Sequence, residues 1–552
     1  MPKRFSSTDL LLLVVGVTGL ASFLLLYSAV FPQANVRLEV TRPEAVVVAN
    51  DFLTEHGADL EGFKDSVVFF GDDIALTFLQ RHLGLEEASR MASEDVPVWT
   101  WRLRWFRPQE REEWNVWVDI DGEIVGYNHI IEEAAAGADL SEEEARTLAQ
   151  DFLATRGYDL GGWDSVGESS QQRDNRTDHF FTWDRRGSEI DWRPDDPEAG
   201  VGSVRLIVGV QGRDVGRFNR FLRVPEEFER NQARTLSDGT VLAIAAFGLT
   251  ALLSFVAIGI AIVRVRKTDL DWRPAISLGI LVSLLMLLFN GLNWPTLKAS
   301  YLTEISWVAY IGILLITMVL LSILYGAIVL FTAAAGASLS EEVFPGRLKG
   351  FAELATGHLL HPSLAAASLR GYGLGFGFIG YLTLFYWFAQ RYMGAWLPAE
   401  GPYSQIFDLA LPFLAPLAIS LVAAISEEVT YRLFGISFFK RYTKSTVVAL
   451  VVPAAIWAFA HSTYPVYPVY LRGIELTIGG IIFGVAFLRL GLVTCIVAHY
   501  VVDAFLLGAP LVATGNTVYV ISGAIAIGLA LVPALLGLVA RGRNGPPAVA
   551  ET

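Results

Sequence analysis

Long apolar runs recur along this chain, and one long polar stretch separates the first run from the rest. The runs cover residues 10–31, 239–263, 274–293, 305–334, 371–390, 407–438, 446–461, 474–489, 491–509 and 517–540. A helix that crosses a bilayer needs about 20 predominantly apolar residues, so the pattern predicts about ten transmembrane helices. The first run exceeds the apolar core of a signal peptide, about 7–15 residues, and reads as an uncleaved anchor over residues 1–32. Ser28-Ala29-Val30 is the alternative, a cleavage site.

The polar stretch, residues 33–237, contains an internal repeat. Asp51-Phe52-Leu53, Gly57, Asp59-Leu60 and Gly62 recur 100 residues later as Asp151-Phe152-Leu153, Gly157, Asp159-Leu160 and Gly162. A second correspondence, offset by 90, pairs 118–126 with 208–216, each reading as a β-hairpin around Gly122 or Gly212. Ser141 followed by Glu142-Glu143-Glu144 predicts an N-capped helix through Arg156. Each repeat, about 40–135 and 140–230, therefore reads as a helix followed by a small antiparallel sheet. Trp99, Trp101, Leu103 and Trp105 alternate at strand spacing and read as a packed face rather than a ligand platform, whereas Trp114 and Trp117 differ in parity.

Charge separates the two regions further. Residues 33–237 hold 23 Lys+Arg against 41 Asp+Glu, and the remainder 19 against 15. An acidic soluble domain argues against nucleic acid, because phosphate binding needs a basic face. The basic residues outside it cluster as Arg264/Arg266/Lys267, Arg347/Lys349/Arg370, Lys440/Arg441/Lys444, Arg489 and Arg541/Arg543. Those clusters fall in alternate connections, so the positive-inside rule places both termini in the cytoplasm and the acidic domain outside. The fold class expected is a polytopic α-helical membrane protein with an extracytoplasmic α+β tandem-repeat domain between its first and second helices. Further spans occupy 238–369, a core occupies 370–540, and a cytoplasmic tail occupies 541–552. Cys495, the single cysteine, excludes an intrachain disulfide and a cysteine metal site.

The candidate chemistry lies inside the membrane. Glu427-Glu428-Val429-Thr430-Tyr431-Arg432 ends the apolar run that begins near Ile406. Glu428 and Arg432 stand at i and i+4 and can pair, whereas Glu427 is rotated by about 100° and shares a face with Tyr431. That assigns Glu427 as general base and Glu428–Arg432 as a fixing pair; a buried ion network that only locks helices is the alternative. His461 and His499 each follow an apolar run, and Asp503 stands four residues after His499. At 1.5 Å per residue, Glu427, His461 and His499 lie roughly 20, 25 and 15 Å from the nearest cytoplasmic basic residues, so the three can meet. Gly371, Gly373, Gly375, Gly377 and Gly380, and Gly480 with Gly484, read as close helix packing. His358 and His361 read as a solvated loop, and the aromatics of 462–473 as anchors at the outer interface.

Glu427-Glu428-x-x-x-Arg432, Trp457-x-x-x-His461 and His499-x-x-x-Asp503 together resemble the three ordered motifs of the CPBP intramembrane proteases. That family includes CAAX prenyl endopeptidases of Ras-converting type and bacterial Abi proteins tied to bacteriocin immunity. The resemblance covers about residues 370–540. It implies an intramembrane endopeptidase in which Glu427 and His461 activate water while His499 and Asp503 hold the oxyanion. Trp457 stands where Phe is frequent, and Asp503 where the eukaryotic members carry Asn. An ionised aspartate donates no hydrogen bond, which leaves its oxyanion role dependent on protonation. Glu427, His461 and His499 could hold Zn²⁺ with an open fourth position; the same groups also suit a metal-free glutamate protease. Two rivals stay open, a non-catalytic binding or immunity protein and a proton-coupled transporter, although no inverted repeat is visible among the spans. The partners expected are the membrane and a peptide or membrane-protein substrate, with a protein or cell-envelope ligand for the acidic domain.

Overall fold

A computed structural model describes residues 6–192, 200–265, 272–348, 350–398, 404–464 and 466–543. The basic residues Lys3, Arg4, Arg266, Lys267 and Lys349, and the tail from Asn544, lie outside them. The chain starts with α1 (Ser7–Val30), whose first turn Ser6 and Asp9 close in a capping box. Next come α2 (Arg42–Glu55), β1 (Lys64–Gly71), α3 (Asp73–Glu94), β2 (Trp99–Phe106), β3 (Glu113–Asp119) and β4 (Ile124–Ile130). There follow α4 (Glu142–Thr155), β5 (Trp163–Gln172), β6 (Thr177–Arg185), β7 (Ile190–Asp191), β8 (Val201–Gln211) and β9 (Asp214–Arg223).

These strands form one antiparallel sheet in the order β1-β2-β3-β4-β9-β8-β6-β5, with the short β7 against β8. Its two halves join where β4 meets β9 through the pairs Gly126↔Asn219, Tyr127↔Phe218 and Asn128↔Arg217. The hairpins read from sequence are present: β3–β4 turns at Gly122 (φ 97°) and β8–β9 at Gly212 (φ 63°), backbone conformations that glycine tolerates. Helix α2 buries Ala45, Ala49, Phe52 and Leu53, and α4 buries Ala145, Ala149 and Leu153. Ser141 caps α4 as expected, accepting from the Glu144 N–H while Glu144 accepts from the Ser141 N–H at 2.9 Å. Trp99, Trp101, Leu103 and Trp105 are all buried, so the alternating stripe is a packed face. Helix α3 was not foreseen; it follows directly on β1 with Asp72 capping it, and bends at Gly84 (φ 78°).

The membrane part continues with α5 (Glu226–Val265), α6 (Arg273–Leu292), α7 (Trp294–Ala299), α8 (Trp307–Val343), α9 (Phe351–Ala355) and α10 (Pro362–Tyr392). After it come α11 (Leu414–Glu427), a π-helical segment (Glu428–Ile436), α12 (Ser437–Thr443), α13 (Thr446–Phe459), α14 (Tyr470–Leu490), α15 (Leu492–Ala513), α16 (Thr517–Ala530) and α17 (Val532–Arg543). Among the described residues nine helical segments are long and apolar enough to cross a membrane, consistent with a polytopic membrane protein. The tenth expected span is α13, which at 14 residues is shorter than a bilayer crossing. The helix carrying Glu427 begins at Leu414 rather than near residue 407: Pro412 precedes it, and Ser404–Asp408 forms a 3₁₀ turn. Helix α5 begins at Glu226, inside the stretch read as soluble, so the sheet domain runs into the second span without a linker.

Glycines let α1 lie along α10. A Cβ at Gly19 would fall 2.2 Å from the Phe376 carbonyl oxygen, and one at Gly380 2.2 Å from the Gly19 Cα. Gly480 and Gly484 likewise face Ala454 and Leu450 of α13. At one end of the bundle the basic residues gather: Arg264 and Arg441 both reach Glu342 at 3.0 Å, Arg347 donates to the Arg489 carbonyl at 3.1 Å, and Arg370 pairs with Asp9 at 2.7 Å. The sheet domain packs against the opposite end.

Candidate active site

Three pieces of the bundle, α11 with the segment after it, α13 and α15, supply the candidate residues. Glu427 is the last residue of α11, and Glu428 and Arg432 lie in the π-helical segment that follows it. A π segment replaces the i→i−4 ladder by wider turns and is frequent at functional sites. The sequence reading treated this stretch as an ordinary α-helix; hydrophobic spacing over nine residues does not distinguish the two. Trp457 lies near the end of α13, His461 two residues past it, and His499 and Asp503 lie on α15. Tyr431, placed on the same face as Glu427 by helical spacing, bonds the Thr250 hydroxyl at 2.9 Å.

Glu427 is not unpartnered, contrary to the sequence reading. The Trp457 indole N–H donates to its Oε2, and His499 Nε2 stands 3.7 Å from the same oxygen. Glu428, fully buried, does more than pair with arginine. Its Oε1 lies 2.8 Å from His499 Nδ1 and 3.2 Å from Arg432 Nη1. The arginine contact lacks hydrogen-bond geometry, so it is an ion pair; the guanidinium also sits 4.1 Å over the Trp457 ring and 5.4 Å over Phe483. A carboxylate only accepts, so His499 Nδ1 carries the proton that Glu428 receives. The other ring nitrogen, Nε2, faces Asp503 Oδ2 at 3.4 Å.

His461 is oriented differently. Its Nδ1 lies 2.8 Å from the Trp457 carbonyl oxygen, which also only accepts, so Nδ1 carries a proton and in the neutral ring Nε2 is the accepting nitrogen. Glu427, Trp457, His461, His499 and Asp503 line one cavity of about 250 Å³. For zinc, Glu427, His461 and His499 would have to reach one point at about 2.0–2.2 Å. Among the described residues no group of three or more His, Cys, Asp or Glu side chains is placed to hold a metal ion. The donors in this arrangement therefore do not fit the ion, and no step below is routed through it.

A second buried polar cluster lines the same cavity and escaped the sequence reading. Arg472 Nη1 pairs with Glu475 Oε2 at 2.7 Å, and the Tyr386 hydroxyl donates to that oxygen at 3.2 Å. Glu475 is fully buried, and Arg472 and Tyr386 both face the cavity. The signal was available: two opposite charges at i and i+3 stand where an apolar run begins, and the expected span was started at residue 474, just past the arginine. Asp408, also buried, was likewise passed over within the run 407–438.

Residues 409–505 match the family model described as type II CAAX prenyl endopeptidase, Rce1-like. The resemblance read from the motifs is shown. That Rce1-like region holds every residue of the three motifs, and the match points to intramembrane protease activity, a hydrolase acting on peptides at the membrane. The chain is also 23% identical over 507 residues to the sporulation-killing factor biosynthesis protein SkfC of Bacillus subtilis (strain 168). That similarity spans 90% of this chain and 94% of the relative, the sheet domain included. No solved structure shows significant similarity.

Proposed function

We propose that this protein is an intramembrane endopeptidase that hydrolyses a peptide bond with water activated by Glu427 and His461. The observation that carries the reading is the convergence of Glu427, His461, His499 and Asp503 on one cavity in the Rce1-like region. Trp457 occupies Oε2 of Glu427, so Oε1 takes the proton as water oxygen attacks the scissile carbonyl carbon. His461 Nε2, free to accept, orients that water. The oxyanion forms beside His499, which, protonated on both ring nitrogens, keeps its Nδ1–H on Glu428 and turns its Nε2–H from Asp503 to the oxyanion. Collapse breaks the C–N bond, and the leaving amine takes the proton back from Glu427. In this scheme Asp503 orients His499 rather than donating to the oxyanion.

The same reading places the sheet domain outside the cytoplasm as a tandem repeat. Support comes from the gathering of Arg264, Arg347, Arg441 and Arg489 at the end of the bundle opposite the domain. The repeat is supported by its two halves, each a helix followed by four main strands paired in chain order, with α3 an addition to the first. Among the described residues no contact singles out a protein or cell-envelope ligand for the domain. A second reading follows from the relative's printed role: the substrate is a component in the biosynthesis of a killing factor. The test compares membrane-proteome termini in cells carrying wild type and Glu427→Gln at matched expression. Termini made only by wild type are expected; identical termini with an intact cellular phenotype would leave the non-catalytic immunity reading in its place. Adding a zinc chelator to the wild-type arm separates the metal-free scheme from a metalloprotease.

A further inference from the structure

We propose that the sheet domain is a wall of the cleavage cavity, with the Phe69 ring setting the size of the substrate side chain accepted there; this rests on the endopeptidase reading. The cavity that contains Glu427 and His499 is also lined by Phe69 and Gly71 of β1, Trp99 of β2, and Gln33 and Val36 of the connection from α1. A receptor domain joined by a tether would leave the cavity to the membrane helices. Here two strands of the soluble domain reach into it.

The docking that holds this wall is specific. The Phe69 N–H donates to Asp408 Oδ1 at 2.5 Å, a backbone donor met by a carboxylate that is itself buried. The Phe69 ring packs 5.0 Å from Phe407 on the membrane side and 5.0 Å from Trp101 on the domain side. Gln80 and Gln33 donate to the Leu397 and Pro398 carbonyls at 3.0 and 2.9 Å. Arg81 of α3 places its guanidinium 4.6 Å from the ring of Trp192 in the domain and 4.9 and 5.3 Å from Trp396 and Tyr467 in the membrane loops. Helix α3, the element that sequence reading missed, thus fastens the wall.

The cavity's shape then selects the substrate. At about 250 Å³ it is below the 300–1,000 Å³ of ordinary small-molecule pockets, so it takes a few side chains of an extended segment and excludes a folded one. Its domain end presents aromatic carbon, so the residue seated there is apolar, and its bulk is limited by Phe69.

The experiment uses full-length protein in liposomes and a library of single-span peptides whose residues near the membrane surface vary from Gly to Trp. Glu427→Gln defines the cleavage that counts. Phe69→Ala is expected to raise the kcat/KM ratio of bulky over small substrates by about tenfold or more, the scale of discrimination by apolar pockets. Phe69→Trp is expected to lower it. Both variants retain the N–H that bonds Asp408, and Phe69→Trp fills rather than empties the site, so the pair distinguishes a changed pocket from lost folding. Glu427-dependent cleavage with the same size profile in wild type and both variants overturns the wall alone. Absence of any Glu427-dependent cleavage removes the endopeptidase reading and the wall with it.

Discussion

Adjacent glutamates at the end of α11 are assigned opposite jobs, and conservative substitution separates them. Glu428 has no exposed surface, and its Oε1 receives both the His499 Nδ1–H at 2.8 Å and the Arg432 ion pair at 3.2 Å. Glu428→Gln keeps the shape but leaves the Arg432 guanidinium, 1% exposed, with no counter-charge. Removing one partner of a buried pair costs about 3–5 kcal/mol. Weakening the charge-assisted bond from His499 belongs within that figure rather than adding to it. Glu427→Gln is different. The amide oxygen still accepts from the Trp457 indole, and the ionic contact that is lost is the longer one, 3.7 Å from His499 Nε2, so stability should change by about 1 kcal/mol, well below the Glu428→Gln figure. Cleavage should nonetheless fall by about 10²–10⁴, the usual contribution of a general base. The assay is unfolding of purified protein in bicelles alongside cleavage of a reporter peptide in liposomes. A third variant tests the cause: Arg432→Met added to Glu428→Gln removes the stranded charge and should restore most of the stability, because apolar replacement of a buried pair is often neutral. A stable Glu428→Gln protein, or a Glu427→Gln protein that unfolds as readily as it loses activity, would refute the division of labour.

Trp457→Phe removes the indole donor to Glu427 but keeps a ring beneath Arg432; cleavage should drop about tenfold, whereas Trp457→Ala should also destabilise the fold, as thermal unfolding would report. Arg472→Met and Glu475→Met should each cost about 3–5 kcal/mol singly and much less together, a coupling that a double-mutant cycle in bicelles measures. Burial, the largest cause, pushes the His129 imidazole below its usual 6.5, with Glu112 opposing, and burial and then Arg81 do the same to His82. The folded domain therefore binds these protons less readily than the unfolded chain, so stability is intact above pH 6.5 and lost as pH falls below it. Unfolding midpoints between pH 7.5 and 5 should show that slope, and His129→Gln should flatten it. Gly19→Val sets a side chain against the Phe376 carbonyl and should detach α1 from α10, seen as faster proteolysis between them.

Much of this architecture was legible in the chain because the signals are periodic and long. Apolar runs marked the spans, glycines at Gly122 and Gly212 marked the hairpins, and Ser141 with Glu144 marked a helix start. The ordered Glu427, His461 and His499 motifs marked residues that line one cavity. What stayed hidden depends on contacts between distant parts. Nothing in 428–436 distinguishes a π from an α ladder, since all nine residues are buried and no exposed face marks the period. Glu428 appeared as a partner for Arg432 because they share a helix, while its contact with His499 spans 71 residues. Glu427 appeared unpaired because Trp457 lies on another helix. Arg472 was assigned to a loop by a boundary set two residues too late.

The relation between the two regions follows from what each comparison covers. The family match is confined to residues 409–505, which hold the groups proposed to react, whereas the similarity to the biosynthesis protein runs through the sheet domain as well. Chemistry at the peptide bond needs only the first. If the domain were a detachable receptor, its contacts with the bundle would be peripheral and its loss tolerable. Instead Asp408, six residues before α11 begins at Leu414, accepts the Phe69 N–H with its buried carboxylate, and Arg104 of β2 donates to the Tyr301 carbonyl at 2.6 Å beyond α7. Deleting residues 33–225 would strip the donor from a buried carboxylate and open the cavity containing Glu427 to bulk solvent. An endopeptidase of the proposed kind, built this way, is expected to lose its activity as a bare helical core, with its selectivity a property of the joined whole.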